Sequence, residues 1–198
     1  MWWLHRQNLD HLIRDVRFSA NSHLMNWLNA LLRRRPKVDP APEELWIQRF
    51  LGSEVYHIKS AEWNLYRDKE DGRMNLWISV VCDRAIRQFE DTAYTDTIPS
   101  WELNLIEEDI VLREGLNASI PSGYDESRRG WITNFYAGSH DGSDKNRISV
   151  IKCEGDRLFL RLTGLVVDPN FYDDSKPKAQ ITVETWFARN EEGARSMS

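Results

Sequence analysis

The apolar pattern of this 198-residue chain predicts a mainly β protein, an antiparallel β-sandwich or partly open barrel with an N-terminal helical arm, α+β overall. Three observations carry that expectation. Past Gly52 the apolar residues recur at about every second position rather than at helical spacing. Two hairpin-type dipeptides, Asp71-Gly72 and Gly155-Asp156, each separate two strand-like runs, because Gly supplies the positive φ that a tight primed turn requires. No alternation of strand-like with helix-like segments follows Gly52, which argues against a parallel nucleotide-binding sheet.

In chain order, Trp2, Leu9, Leu12, Ile13 and Val16 fall at helical spacing. A second helix begins near Asn21 or Ser22, buries Leu24, Trp27, Leu28, Leu31 and Leu32, and ends in Arg33-Arg34-Arg35-Pro36. Residues 1–35 are therefore expected to be a helical arm, 36–42 a stiff Pro-containing linker, 43–190 the β domain, and 191–198 a frayed tail. Pro42-Glu43-Glu44 resembles a helix start, so a short leading helix carrying Leu45, Trp46, Ile47, Phe50 and Leu51 is expected to stop at Gly52.

Residues 55–67 and 74–82 flank Asp71-Gly72. A two-residue turn there opposes Leu65 to Ile78 and Trp63 to Val80 on a core face, and Tyr66 to Trp77 on the other. Residues 83–100 lack alternation and are expected to be a helical turn and loop, 101–106 and 110–113 short strands, and 114–130 a long surface loop. A strand over 131–137 and a loop over 138–145 precede the hairpin at 147–167, where the Gly155-Asp156 turn puts Cys153, Ile151, Ser149, Leu158, Leu160 and Leu162 on one apolar face. The closing strand, 181–188, turns Ile181, Val183 and Phe187 inward and Trp186 outward.

The formal net charge of −5 is unevenly spread. Residues 1–40 hold seven Lys and Arg against three acids, and the remainder 19 against 28. The acidic balance excludes nucleic acid as the main partner. Cys82 and Cys153 are too few for a disulfide framework and have no metal-ligand spacing, and the N-terminus carries charges throughout, unlike a signal peptide, so a cytoplasmic protein is expected. The basic, Trp-containing arm raises peripheral membrane association, but Asp10 and Asp15 dilute its positive face, so packing of the arm or homodimerisation through it is preferred to a membrane surface.

No cofactor or nucleophile motif occurs, which leaves two classes of function. The preferred one is a non-enzymatic binding or protein-interaction domain for a protein or small-molecule ligand. Trp and Tyr are enriched where surfaces bind, and Tyr66, Trp77, Trp131, Tyr136 and Trp186 lie on strand segments where they could form an aromatic platform, unless they are simply core. The alternative is a hydrolase-like enzyme in which His57 and His140 approach each other or Glu102 as an acid/base pair. Asp141, Ser143 and Asp144 offer oxygen ligands at short spacing to a hard cation, in a loop whose composition also suits an ordinary turn.

Overall fold

A computed structural model of the protein describes residues 43–69, 71–88, 97–126, 130–168, 171 and 175–190. The expected helical arm, linker and tail lie outside them. Among the described residues every regular element is a strand. In chain order these are β1 (Glu44–Gln48), β2 (Ser53–Arg67), β3 (Met74–Arg87), β4 (Ser100–Glu107), β5 (Asn117–Ile120), β6 (Tyr124–Asp125), β7 (Gly130–Trp131), β8 (Thr133–Tyr136), β9 (His140–Asp141), β10 (Asp144–Glu154), β11 (Arg157–Val166) and β12 (Ala179–Arg189). Ten of them form one sheet in the order β5-β10-β11-β12-β1-β2-β3-β4-β8-β9, and β6 and β7 pair separately.

The sheet is antiparallel except where the end of β12 outruns β1 and lies parallel to β2, Ala188 beside Glu62 and Arg189 beside Trp63. It curls into an open half-barrel whose flanks face each other across the core. A methyl group built on Gly164 of β11 would lie 2.9 Å from Cζ2 of Trp101 on β4, strands far apart in the sheet order. Trp101, Tyr56, Phe187, Leu45, Ile78, Leu103, Leu160 and Ile181 are among the side chains that fill the interior.

The expected leading helix is instead β1. Leu45 and Ile47 point inward and Glu44, Trp46 and Gln48 outward, a period of two, and the strand is held on both sides, by β12 and by β2. Pairing on both edges outweighs a helix-start signal only a few residues long. The expected strand over 110–113 does not form, whereas β3 extends to Arg87 and the presumed loop 114–130 contains β5 and β6.

Both hairpins exist, each with a different register from the expected one. Between β2 and β3 the loop spans 68–73: the Asp68 amide donates to the Arg73 carbonyl and the Gly72 amide to the Asp68 carbonyl, with Gly72 at φ 73°. Arg67 therefore opposes Met74, Leu65 opposes Leu76 and Trp63 opposes Ile78. The slip is of two residues, and an even slip leaves the inward and outward faces unchanged. Asn64 rather than Tyr66 now opposes Trp77.

In the β10–β11 hairpin Cys153 opposes Leu158 as expected, but the register shifts between Val150 and Lys152. Ile151 drops out of the ladder as a bulge and is 37% exposed, while Ile148 and Val150 take the core positions expected of Ser149 and Ile151. The bulge sits where the Val150 amide and carbonyl are both taken by the irregular chain before β5, through the Leu116 carbonyl and the Gly115 amide at 2.9 Å each.

Candidate functional site

Alternation that sends Trp63, Leu76, Ile78, Leu103 and Leu105 into the core turns the residues between them outward. Across the sheet these make rows. Asn64 of β2 opposes Trp77 of β3, which opposes Asn104 of β4. Glu62, Ser79, Glu102 and Asn134 of β8 form the next row, and Ser60, Val81, Ser100, Tyr136 and His140 of β9 the third. None of these is Lys or Arg, and the fixed charges are the carboxylates Glu62 and Glu102.

The polar groups of this face are unevenly engaged. Asn104 donates its side-chain amide to the Trp131 carbonyl at 3.1 Å, Glu62 accepts from Asn190 at 2.5 Å, and Asn75 donates to the Tyr66 hydroxyl at 2.7 Å. Among the described residues the Glu102 carboxylate and the Asn64 amide have no side-chain partner, although Asn64 is only 4% exposed. The side-chain carbonyl of Asn75, on the same face, is buried and equally unpartnered.

Beside Asn104 the β6–β7 pair forms a small flap, tied to its neighbours by the Ile132 amide on the Gly123 carbonyl and the Asn104 amide on the Ile132 carbonyl. It exposes Tyr124 and Trp131, whose rings meet edge to face at 5.4 Å. Of the five aromatics anticipated as a platform, Trp77, Trp131 and Tyr136 thus surround β4. Tyr136 meets His140 with ring centroids 4.9 Å apart and the planes tilted by 48°, and Tyr66 is half-buried and bound to Asn75. Trp186 lies on the other side of the sheet order, between Phe159 and the guanidinium of Arg157.

Among the described residues the anticipated acid/base residues are not hydrogen-bonded to one another. His140 Nδ1 is 3.1 Å from the Asn134 side-chain oxygen, and Asn134 stands between His140 and Glu102 in the rows. His57 opposes Arg84, five residues along β3 from the Ser79 that opposes Glu102, about 16 Å at the rise of a strand. Its partner is Asp83, with Nδ1 2.8 Å from the carboxylate. That hydrogen bond, supported by the Arg84 charge, holds the Asp83 carboxyl below its usual value.

A carboxylate with a lowered folded-state value contributes stability that is complete above the ordinary carboxylate range and is lost as pH falls through the folded value. Urea unfolding at about pH 5 and about pH 2.5 should accordingly show a larger acid-induced loss in the parent than in Asp83→Asn. Equal losses would mean that His57 does not hold Asp83.

The three candidate metal ligands are each committed elsewhere. Ser143 is fully buried: its hydroxyl accepts from Trp101 Nε1 at 2.9 Å, and its carbonyl accepts from Thr133 and Asn146. Asp141 accepts from the Ser139 hydroxyl, and Asp144 is paired with Lys178, which holds its carboxyl below the usual value. No group of three or more His, Cys, Asp or Glu gathers among the described residues.

A second cluster is buried rather than presented. Arg49, after β1, donates to Glu54 at 2.5 Å and lies 3.6 Å from Asp168, while the Tyr56 hydroxyl donates to Glu54 at 3.0 Å and the Phe50 amide to Asp168 at 3.2 Å. Burial, reinforced by the Glu54 charge, pushes the Tyr56 hydroxyl above its ordinary value. The cluster ties the β1–β2 turn to the chain leaving β11 and has no open face, so it is a structural pin. Cys82, also buried, has its thiol pushed up to about 12 by desolvation and is not an activated nucleophile.

The chain matches no protein-family model, no curated protein and no solved structure.

Asn64, Asn104, Glu62 and Tyr124 belong to the face or its flap and were not singled out from the sequence. The alternation around Trp63 and Leu103 already marked Asn64, Glu62 and Asn104 as outward. Which strand they would stand beside depends on the register.

Proposed function

We propose that this chain is a binding domain whose ligand seats on the outer face of β2, β3, β4 and β8, around Trp77. The observation that carries this reading is the row Asn64–Trp77–Asn104, a half-buried indole between two amides, with the Asn64 amide and the Glu102 carboxylate unpartnered beside it. Both groups reach solvent, and a ligand that supplies hydroxyls or amides meets their open donors and acceptors on binding. One large ring among polar groups suits a small polar ligand better than a protein, whose interface needs a broader apolar centre.

A thermal-shift screen of sugars, nucleosides, amino acids and short peptides tests the reading. Compounds that raise the melting temperature of the parent should fail to do so for Trp77→Ala and Asn104→Ala. Shifts retained by both variants would put the ligand elsewhere. Turnover of chromogenic esters, glycosides or phosphates that is lost in His140→Ala would favour a hydrolase instead.

A further inference from the structure

We infer that the ligand of this face is a carbohydrate chain longer than one ring, stacked on Trp77 and reaching the flap indole of Trp131. The inference rests on the binding reading above and assigns its ligand class. Three features of the face select that class.

The first is the setting of the indole. Trp77 is flanked along its row by Asn64 and Asn104 and bordered in the next row by Ser79 and Glu102. A pyranose has the matching surface, with a C–H face that lies on an aromatic ring and hydroxyls around its edge that bond to planar amides and carboxylates. An apolar ligand would leave the Asn64 amide and the Glu102 carboxylate unsatisfied, at the cost such groups carry when buried.

The second is charge. With Glu62 and Glu102 present and no Lys or Arg in the three rows, the sheet surface around Trp77 does not favour a phosphate or carboxylate. A neutral sugar, or one bearing an amine, is the carbohydrate that fits.

The third is spacing. Asn104 of β4 lies between Trp77 of β3 and the flap: it opposes Trp77 on one side, and on the other its backbone amide bonds to the Ile132 carbonyl and its side chain to the Trp131 carbonyl. Two strand steps separate the segments that carry the indoles, about 10 Å. With the exposed Trp131 indole turned to the side of Trp77, as this inference requires, a single ring cannot cover both, but a short chain can, with its middle hydroxyls over Asn104 and Glu102. A peptide is less well suited, because the face is in mid-sheet and its backbone hydrogen bonds are already used within the ladder.

The experiment is calorimetric titration of the full chain with neutral and amino-bearing oligosaccharide series, each from monosaccharide to hexasaccharide. At least one series should bind, and more tightly as the chain lengthens. Trp77→Ala should weaken all members by at least about tenfold, Trp131→Ala only the longer ones, and Trp186→Ala, remote from the face, none. Trp77→Phe, which keeps a ring, should retain part of the affinity, and near-ultraviolet circular dichroism verifies that each variant is folded. If no series binds while other ligands bind in a Trp77-dependent way, the carbohydrate assignment is overturned and the binding face stands. If a sugar binds and Trp77→Ala leaves its affinity unchanged, the face itself is overturned.

Discussion

Arg49→Met is expected to lower the unfolding free energy by about 3–5 kcal/mol, the usual cost of removing one partner from a buried ionic cluster. The guanidinium is 5% exposed and stands against two carboxylates, Glu54 at 0% and Asp168 at 2%. Without it Glu54 remains in a low-dielectric site with no counter-charge and with one oxygen that already lacks a partner, and Asp168 loses its ion pair with the β1–β2 turn. Arg49→Lys should fall between the two, because an ammonium restores the charge but not the planar array of donors that reaches Glu54 and Asp168 together. Arg49→Met combined with Glu54→Gln and Asp168→Asn should recover much of the loss, since the carboxylates are then neutral. Urea denaturation of the four proteins provides the comparison, and a loss below about 1 kcal/mol for Arg49→Met, the range of exposed pairs, would mean that the cluster is solvated.

Gly164→Ala is expected to destabilise the domain by about 1–3 kcal/mol, the range for forcing a methyl group into a filled core. The new carbon would lie 2.6 Å from the Asn146 side-chain oxygen, 2.9 Å from Trp101 Cζ2 and 3.4 Å from Ile181 Cγ2. Neither of the two closest neighbours is free to retreat. Trp101 is tethered through Nε1 to Ser143, and Asn146 donates to the Ser143 carbonyl at 2.7 Å. The glycine is therefore required by the approach of two strands across the half-barrel rather than by a turn. Adding Asn146→Ala to Gly164→Ala removes the nearest clash, so the double variant should be less destabilised than the sum of the two single changes. Thermal unfolding of the three variants reads this directly, and strict additivity would place the strain elsewhere.

Much of the β domain was legible in the sequence because inward and outward positions follow from a period of two that needs no knowledge of partners. Ile181, Val183, Phe187 and the outward Trp186 on β12 are as the alternation implies. The partners themselves were less legible. Asp71-Gly72 marked a turn but not its length, because hydrogen bonds within residues 68–73 favour a longer loop than the dipeptide alone suggests. Ile151 was assigned to the core because a bulge leaves no trace in local composition, and what selects it is the chain before β5 that binds both backbone groups of Val150. β1 was mistaken for a helix because its five residues gain their stability from neighbours distant in sequence on one side.

The candidate site has the same history. Trp77, Trp131 and Tyr136 could be nominated as surface aromatics, and Glu102 and His140 as polar strand and loop residues, yet nothing local relates them. Strand order sets Trp77 beside β4, which carries Glu102, separates Trp186 from them and keeps His57 away from His140, and hydrogen bonds from Asn104 hold the Trp131 segment at the other side of β4. By itself the chain determined which side chains of β2, β3, β11 and β12 face the core, since alternation is a property of the extended backbone. The half-barrel alone decided which outward residues became neighbours, because register and strand order are set by contacts between segments far apart in sequence.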